Sequence, residues 1–126
     1  WRTRISINYL SHPKVKSIYF PGDTEHEDYE IVKKQMKKGG GLISFEIDGT
    51  KQDAQNFLDN VRLIKLAVSL GDTESLIQHP ASMTHAGIPL ENRLEMGITD
   101  QLIRLSVGIE AWEDIWEDLE QALNRI

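Results

Sequence analysis

Arg104 stands in the stretch LIRLSVGIE, residues 102–110, among apolar and mostly branched neighbours. Such a run suits a β-strand. Side chains alternate across a strand, so Leu102, Arg104 and Ser106 share one face, and Ile103, Leu105 and Val107 share the other. Desolvating a guanidinium without an anion is costly, so Arg104 requires a partner. Two readings are open: an internal ion pair or edge-strand arginine, or a planar fork that grips a ligand carboxylate through two parallel hydrogen bonds. The segment SLGDTESLIQHPASMTH, residues 69–85, bears on the choice. Ser69, Gly71, Ser75, Ser82 and Thr84 gather there with little charge, in a stretch that reads as irregular extended backbone. Such backbone lines a site or lies in a buried connection.

Other residues that invite chemistry read more plainly as structure. Gly39, Gly40 and Gly41 precede a strand, whereas a phosphate-binding loop needs Gly-Lys-Ser/Thr opening a helix, so they form a turn. His79 and His85 are six residues apart with no cysteine in the chain and few acidic residues nearby, which favours loop hydrogen bonding over a metal site. KKQMKK, residues 33–38, is a solvated helix end whose lysines suit the helix dipole. Trp112 and Trp116, one helical turn apart, are core or interface anchors, and the acids of WEDIWEDLE form a solvated face opposite them. No nucleophile elbow, catalytic cysteine or carboxylate dyad is evident. The chain lacks a self-sufficient catalytic set.

The elements that must position Arg104 follow from patterning. VKSIYF, residues 15–20, is a strand ending at Pro21-Gly22, after a helix tail over 4–11 stopped by Pro13. Thr24 and Glu27 have capping-box form, which predicts a helix carrying Tyr29, Val32 and Met36. LISFEID, residues 42–48, alternates as a strand. Thr50 and Asp53 cap a second helix with Ala54, Phe57, Leu58, Val61 and Ile64 on its apolar stripe. LAVSLG and SLIQHP are short extended pieces, 84–100 is loop with one helical turn, and the final helix over 111–126 buries Trp112, Ile115, Trp116, Leu119, Leu123 and Ile126. The fold class is α+β: a mostly antiparallel sheet of four or five strands with helices on one face. The other face is left needing a partner.

The 126 residues fit one domain, 40% hydrophobic and 27% charged, as in ordinary globular chains. A net charge of −6 weighs against nucleic acid or an anionic membrane as partner. There is no cysteine, no apolar run long enough for a membrane span and no signal-peptide layout, so a cytoplasmic location is the default. A start at Trp1 suggests a processed chain or a piece of a longer one.

Two ordered blocks carry a strong resemblance. AVSLGDTESLIQHPASMTHAGIP, residues 67–89, followed by GITDQLIRLSVGIEAWEDIWEDLEQAL, residues 97–123, resembles the C-terminal domain of the pyridoxal-phosphate-dependent enzymes of cysteine and methionine metabolism. These include methionine γ-lyase, cystathionine γ-lyase and γ-synthase, cystathionine β-lyase and O-acetylhomoserine sulfhydrylase. The match is dense from about Gly41 to Leu123 and looser back through HPKVKSIYFPG. It implies the small C-terminal domain of a fold type I, aspartate aminotransferase-like enzyme, over residues 1–126. It also implies that Arg104 binds the α-carboxylate of an amino-acid substrate, with Ser69 and the backbone of Leu70 at the site wall and Thr84 supporting it.

The resemblance further implies that the cofactor, pyridoxal phosphate, is bound by an N-terminal domain absent here. Its lysine sits in a Ser-x-Thr-Lys context in the family. The nearest match is DGTK, residues 48–51, with Asp48 in place of the serine and Lys51 at a helix start. The chain alone is therefore expected to be inactive. The implied parent, a homotetramer assembled mainly through its large domain, removes the α-proton of its substrate and eliminates or replaces a group at the γ carbon. Substrates of this kind are methionine, cystathionine or an activated homoserine. AVSLGD looks most like methionine γ-lyase, since cystathionine γ-lyases and γ-synthases often carry an acid where Val68 stands and sulfhydrylases diverge from SLG. A stand-alone binding or assembly module is the alternative from another functional class.

Overall fold

A computed structural model describes residues 12–126; the helix tail expected over 4–11 lies outside them. The elements are β1 (Val15–Tyr19), α1 (Tyr29–Gln35), β2 (Leu42–Ile47), α2 (Lys51–Asn60), β3 (Lys65–Leu66), β4 (Leu76–Gln78), α3 (Leu90–Glu95), β5 (Leu102–Ser106) and α4 (Trp112–Leu123). The strands form one sheet in the order β1-β2-β5-β4-β3. Neighbours are antiparallel except β3 and β4, which pair in parallel over two residues. The α+β class and the mostly antiparallel sheet agree with the reading from sequence.

Alternation places the apolar residues of three central strands on one face. Ile43, Phe45 and Ile47 of β2, Ile77 of β4, and Ile103 and Leu105 of β5 are buried there, joined by Val107 just past β5. Against them pack Ala54, Phe57 and Leu58 of α2 and Ile115, Leu119, Ala122 and Leu123 of α4. Phe45 and Phe57 meet edge to face, with ring centroids 5.8 Å apart. Trp112 and Trp116 pack against this core while partly buried, in keeping with an anchoring role.

A local signal explains the start of α2. The Thr50 hydroxyl accepts the Asp53 N–H, and the Asp53 carboxylate accepts the Thr50 N–H at 2.7 Å. Reciprocal capping of this form contributes about 1 kcal/mol. The turn before β2 uses Gly40 at φ +79°, a region open to glycine without steric cost.

Three expectations need correction. Thr24 and Glu27 do not cap a helix. Asp23 and His26 side chains accept the amides of Glu25 and Asp28, folding this stretch into successive turns, and α1 begins only at Tyr29. That helix buries none of its residues, and Met36 just beyond it is exposed. The acidic face of α4 is not wholly solvated, because Asp118 is buried at 6% exposure. Its two oxygens accept the backbone N–H groups of Arg62, Leu63 and Ile64 at 2.8–2.9 Å, which turns the chain from α2 into β3. Finally, the second sheet face is not bare, since Gln78, Ser106 and Glu46 on it are buried.

Candidate functional site

Arg104 lies at the centre of that second face. Cross-strand register sets Ser44 of β2 on one side of it and Gln78 of β4 on the other, with Tyr19 of β1 beyond Ser44. Directly paired residues in antiparallel strands share a face, so Tyr19, Ser44, Arg104 and Gln78 form a transverse polar row. All of it points away from α2 and α4.

The partner of Arg104 is an amide. With the Gln78 side chain turned so that its oxygen faces the guanidinium, that oxygen accepts from Nε at 3.0 Å and from Nη2 at 2.8 Å. The opposite orientation would set donors against donors. Gln78 is 1% exposed and Arg104 partly buried. Among the described residues the ion pairs are Lys65–Glu74 and Arg93–Asp100, and neither involves Arg104. Glu46, on the same face, directs one oxygen to the Thr99 hydroxyl at 2.7 Å and the other to the Tyr19 hydroxyl at 3.4 Å. Burial first, and then the Glu46 charge, push the Tyr19 phenol above its ordinary range. A neutral oxygen orients the guanidinium without cancelling its charge. The internal ion pair considered from sequence is not formed with any described carboxylate.

Two segments reach this face. The loop between β3 and β4 reaches it where the Gly71 N–H donates to the Ser106 hydroxyl at 2.8 Å. Ser106 is two residues from Arg104 on β5, ~7 Å along the strand. Ser69 and Leu70, immediately before Gly71, are exposed at the loop tip. The structure thus brings the loop of Ser69 and Leu70 to the Arg104 face. Residues 79–101 reach the same face where the Thr99 hydroxyl donates to Glu46. His79 bonds the Ser82 hydroxyl through Nδ1 at 2.6 Å and the Asp100 carbonyl through Nε2 at 2.8 Å. Arg93, buried, donates to the Ile98 carbonyl and the Asp100 carboxylate. Thr84 sits exposed on this segment, its hydroxyl against Nδ1 of His85 at 2.7 Å, a local contact that does not join it to Arg104.

His79 and His85 are thus engaged by loop groups, and no cluster of three metal-ligating side chains exists among the described residues. No helix among them is long and apolar enough to cross a membrane. The lysines do not fit a covalent cofactor site. Lys51 is exposed at the start of α2, Lys14 is half-exposed and every other lysine is exposed, with Lys65 paired to Glu74. Sequence reasoning missed Gln78, Glu110 and Asp118. The signal for Gln78 was a polar residue closing the otherwise apolar strand Leu76–Gln78, beside the very strand that holds Arg104.

Comparison with known proteins places this geometry. Residues 4–124 match the family described as Cys/Met metabolism PLP-dependent enzyme. The chain is 55% identical over 124 residues to an L-methionine γ-lyase of Fusobacterium nucleatum subsp. nucleatum, covering 98% of this chain and 31% of that one. It is 53% identical over 116 residues to a cystathionine γ-lyase of Bacillus subtilis, covering 92% and 30%. Among solved structures, cystathionine γ-lyase from Lactobacillus plantarum complexed with L-serine superposes with a TM-score of 0.92 at 46% identity, covering 98% of this chain and 32% of that one. Cystathionine γ-synthase from Xanthomonas oryzae pv. oryzae in complex with cystathionine gives 0.93 at 43%, with 98% and 32% covered. The chain therefore spans about a third of the length of the relatives it matches. A half-buried arginine steadied by a neutral amide, on a sheet whose sequence and backbone both match, gives the assignment: the chain belongs to the Cys/Met metabolism PLP-dependent enzyme family.

Proposed function

We propose that this chain is the small, substrate-facing domain of a pyridoxal-phosphate-dependent carbon–sulfur lyase or transferase, and that Arg104 receives the α-carboxylate of its amino-acid substrate. The observation that carries this reading is the pairing of Arg104 with the Gln78 oxygen and with no described carboxylate. The guanidinium is aimed and still charged, and a planar fork of this kind suits two carboxylate oxygens. The L-serine complex of the Lactobacillus plantarum relative supports an α-amino acid as the ligand class. Methionine, cystathionine or an activated homoserine fits that class.

When bound, pyridoxal phosphate supplies the electron sink for such reactions. Because no lysine here fits as its covalent anchor, we assign the cofactor and its lysine to an N-terminal domain of a longer polypeptide. This chain alone is then inactive. Leu90, Leu94 and Met96, large and exposed on and beside α3, are the surface we assign to contact with that domain. Within the site, fixing the carboxylate fixes the direction of the substrate's Cα–H bond, a positioning role. Ser69 and Leu70 complete the wall, whereas Thr84, turned to His85, is left out of it.

The test is Arg104→Lys in the full-length polypeptide carrying this domain. KM for the amino acid should rise roughly tenfold or more with a smaller change in kcat, as expected when ground-state binding is lost. An unchanged KM removes the role. Assaying methanethiol, hydrogen sulfide and cystathionine in the same preparation decides between elimination and replacement.

A further inference from the structure

The loop that carries Ser69 and Leu70 is held at its base by a set of contacts outside the carboxylate site. Glu110, four residues past β5, accepts the Ser75 N–H at 2.7 Å on one oxygen and the Ser75 hydroxyl at 2.9 Å on the other. The same hydroxyl oxygen accepts the Gly108 N–H at 2.9 Å. The Ile109 N–H donates to the Thr73 carbonyl at 2.9 Å, and Lys65 grips both oxygens of Glu74 at 2.8 Å. Gly108 leaves no space for a side chain, since a Cβ there would collide with the Thr73 carbonyl oxygen and the Glu74 backbone. Contacts therefore converge on residues 73–75, while Val68 and Leu70 at the tip stay 57% and 48% exposed. The base is clamped and the tip is presented.

We propose that Glu110 is a positioning residue for substrate binding: through Ser75 it fixes the base of the 67–75 loop, so that Ser69 and Leu70 stand ready beside Arg104. This rests on the carboxylate role proposed for Arg104. Ser75 presents two donors at once, its N–H and its O–H, and a carboxylate has an oxygen for each. A glutamine at 110 keeps the shape with one oxygen, so one donor loses its acceptor. Burial pushes the Glu110 carboxyl up, but the Ser75 N–H, the residue's own N–H and the Ser75 hydroxyl together outweigh it and hold the group below its ordinary range. A loop ordered before the ligand arrives avoids the entropy cost of ordering on binding.

The experiment compares Glu110→Gln, Ser75→Ala, Ser75→Thr and Arg104→Lys in the full-length polypeptide carrying this domain. Glu110→Gln and Ser75→Ala should each raise KM roughly five- to tenfold with kcat within about twofold. Amide hydrogen exchange over 67–75 should accelerate about tenfold while the amides of α2 and α4 keep their protection. Ser75→Thr, which retains the hydroxyl, should restore both readouts. Unchanged KM, unchanged loop exchange, or acceleration spread equally over α2 and α4 each overturns the proposal, the last by making Glu110 a general stability contact. A raised KM in Arg104→Lys with a flat one in Glu110→Gln rejects the loop role alone. The reverse pattern rejects the carboxylate reading and keeps the loop role.

Discussion

Gln78 and Arg104 face one another from neighbouring strands, an amide oxygen within 2.8–3.0 Å of two guanidinium nitrogens. The two strands run antiparallel at this point, so register alone brings the side chains onto one face. A carboxylate in the place of Gln78 would compete with an incoming acid for the same charge. The neutral amide leaves that charge uncancelled, and the carboxylate role proposed for Arg104 rests on this pair.

Asp118 should dominate the stability of the turn after α2. Its buried carboxylate serves three successive backbone N–H groups, and Asp118→Ala would leave donors without acceptors. A loss of about 2–4 kcal/mol is expected, read as a lowered urea midpoint. Asp118→Asn, which keeps one oxygen, should lose less. A surface-like loss below about 0.5 kcal/mol would contradict the buried geometry.

Gly108→Ala tests the close approach of the 73–75 backbone to the end of β5. The added carbon meets backbone atoms on one side and the Glu110 carboxylate on the other, and backbone cannot step aside cheaply. Overpacking of this kind costs about 1–3 kcal/mol. Thermal melts of the variant and the parent chain measure it, and equal melting temperatures would show that the loop yields.

Stability should fall in acid partly through Glu110. Its carboxyl is held below the ordinary range in the folded chain, so the unfolded chain binds the proton more readily. The contribution is therefore fully present above the ordinary carboxylate range and is lost as pH falls through the lowered folded value. Denaturant titrations at stepped pH should show the gap between the parent chain and Glu110→Gln closing below that range. A gap that persists unchanged in acid would mean the ionised form contributes nothing.

Pyridoxal phosphate mixed with this chain should yield no persistent, stoichiometric lysine band in the absorption spectrum. Lys51 stands exposed on the first turn of α2, outside any enclosed site that would hold a covalent adduct. Lys51→Ala should leave both spectrum and fold unchanged. A saturable band that vanishes in Lys51→Ala would overturn the assignment of the cofactor to another domain.

Features that depend on neighbours along the chain were readable from residue order. Period-two patterning in LISFEID and LIRLSV marked β2 and β5, the Thr50–Asp53 pair marked the start of α2, and the apolar stripe of the last helix marked its buried side. Those signals are local because strand alternation and helix capping involve residues a few positions apart. The Thr24–Glu27 pair had the same form and failed, because Asp23 and His26 accept the amides of Glu25 and Asp28 and fold this stretch into turns instead. Arg104 and the Ser69–Leu70 loop stood out through their types and through family resemblance, and the Gly71–Ser106 bond sets that loop on the Arg104 face.

Tertiary structure alone decided the partners. Gln78 is 26 residues from Arg104, Ser75 is 35 from Glu110, and Asp118 is more than 50 from the amides it holds. Sheet order and register choose such pairs, and a composition that reads as a solvated acidic helix cannot say which single acid turns inward. Only when α4 lies across the sheet does Asp118 meet three unpaired backbone donors, whose desolvation would otherwise go uncompensated.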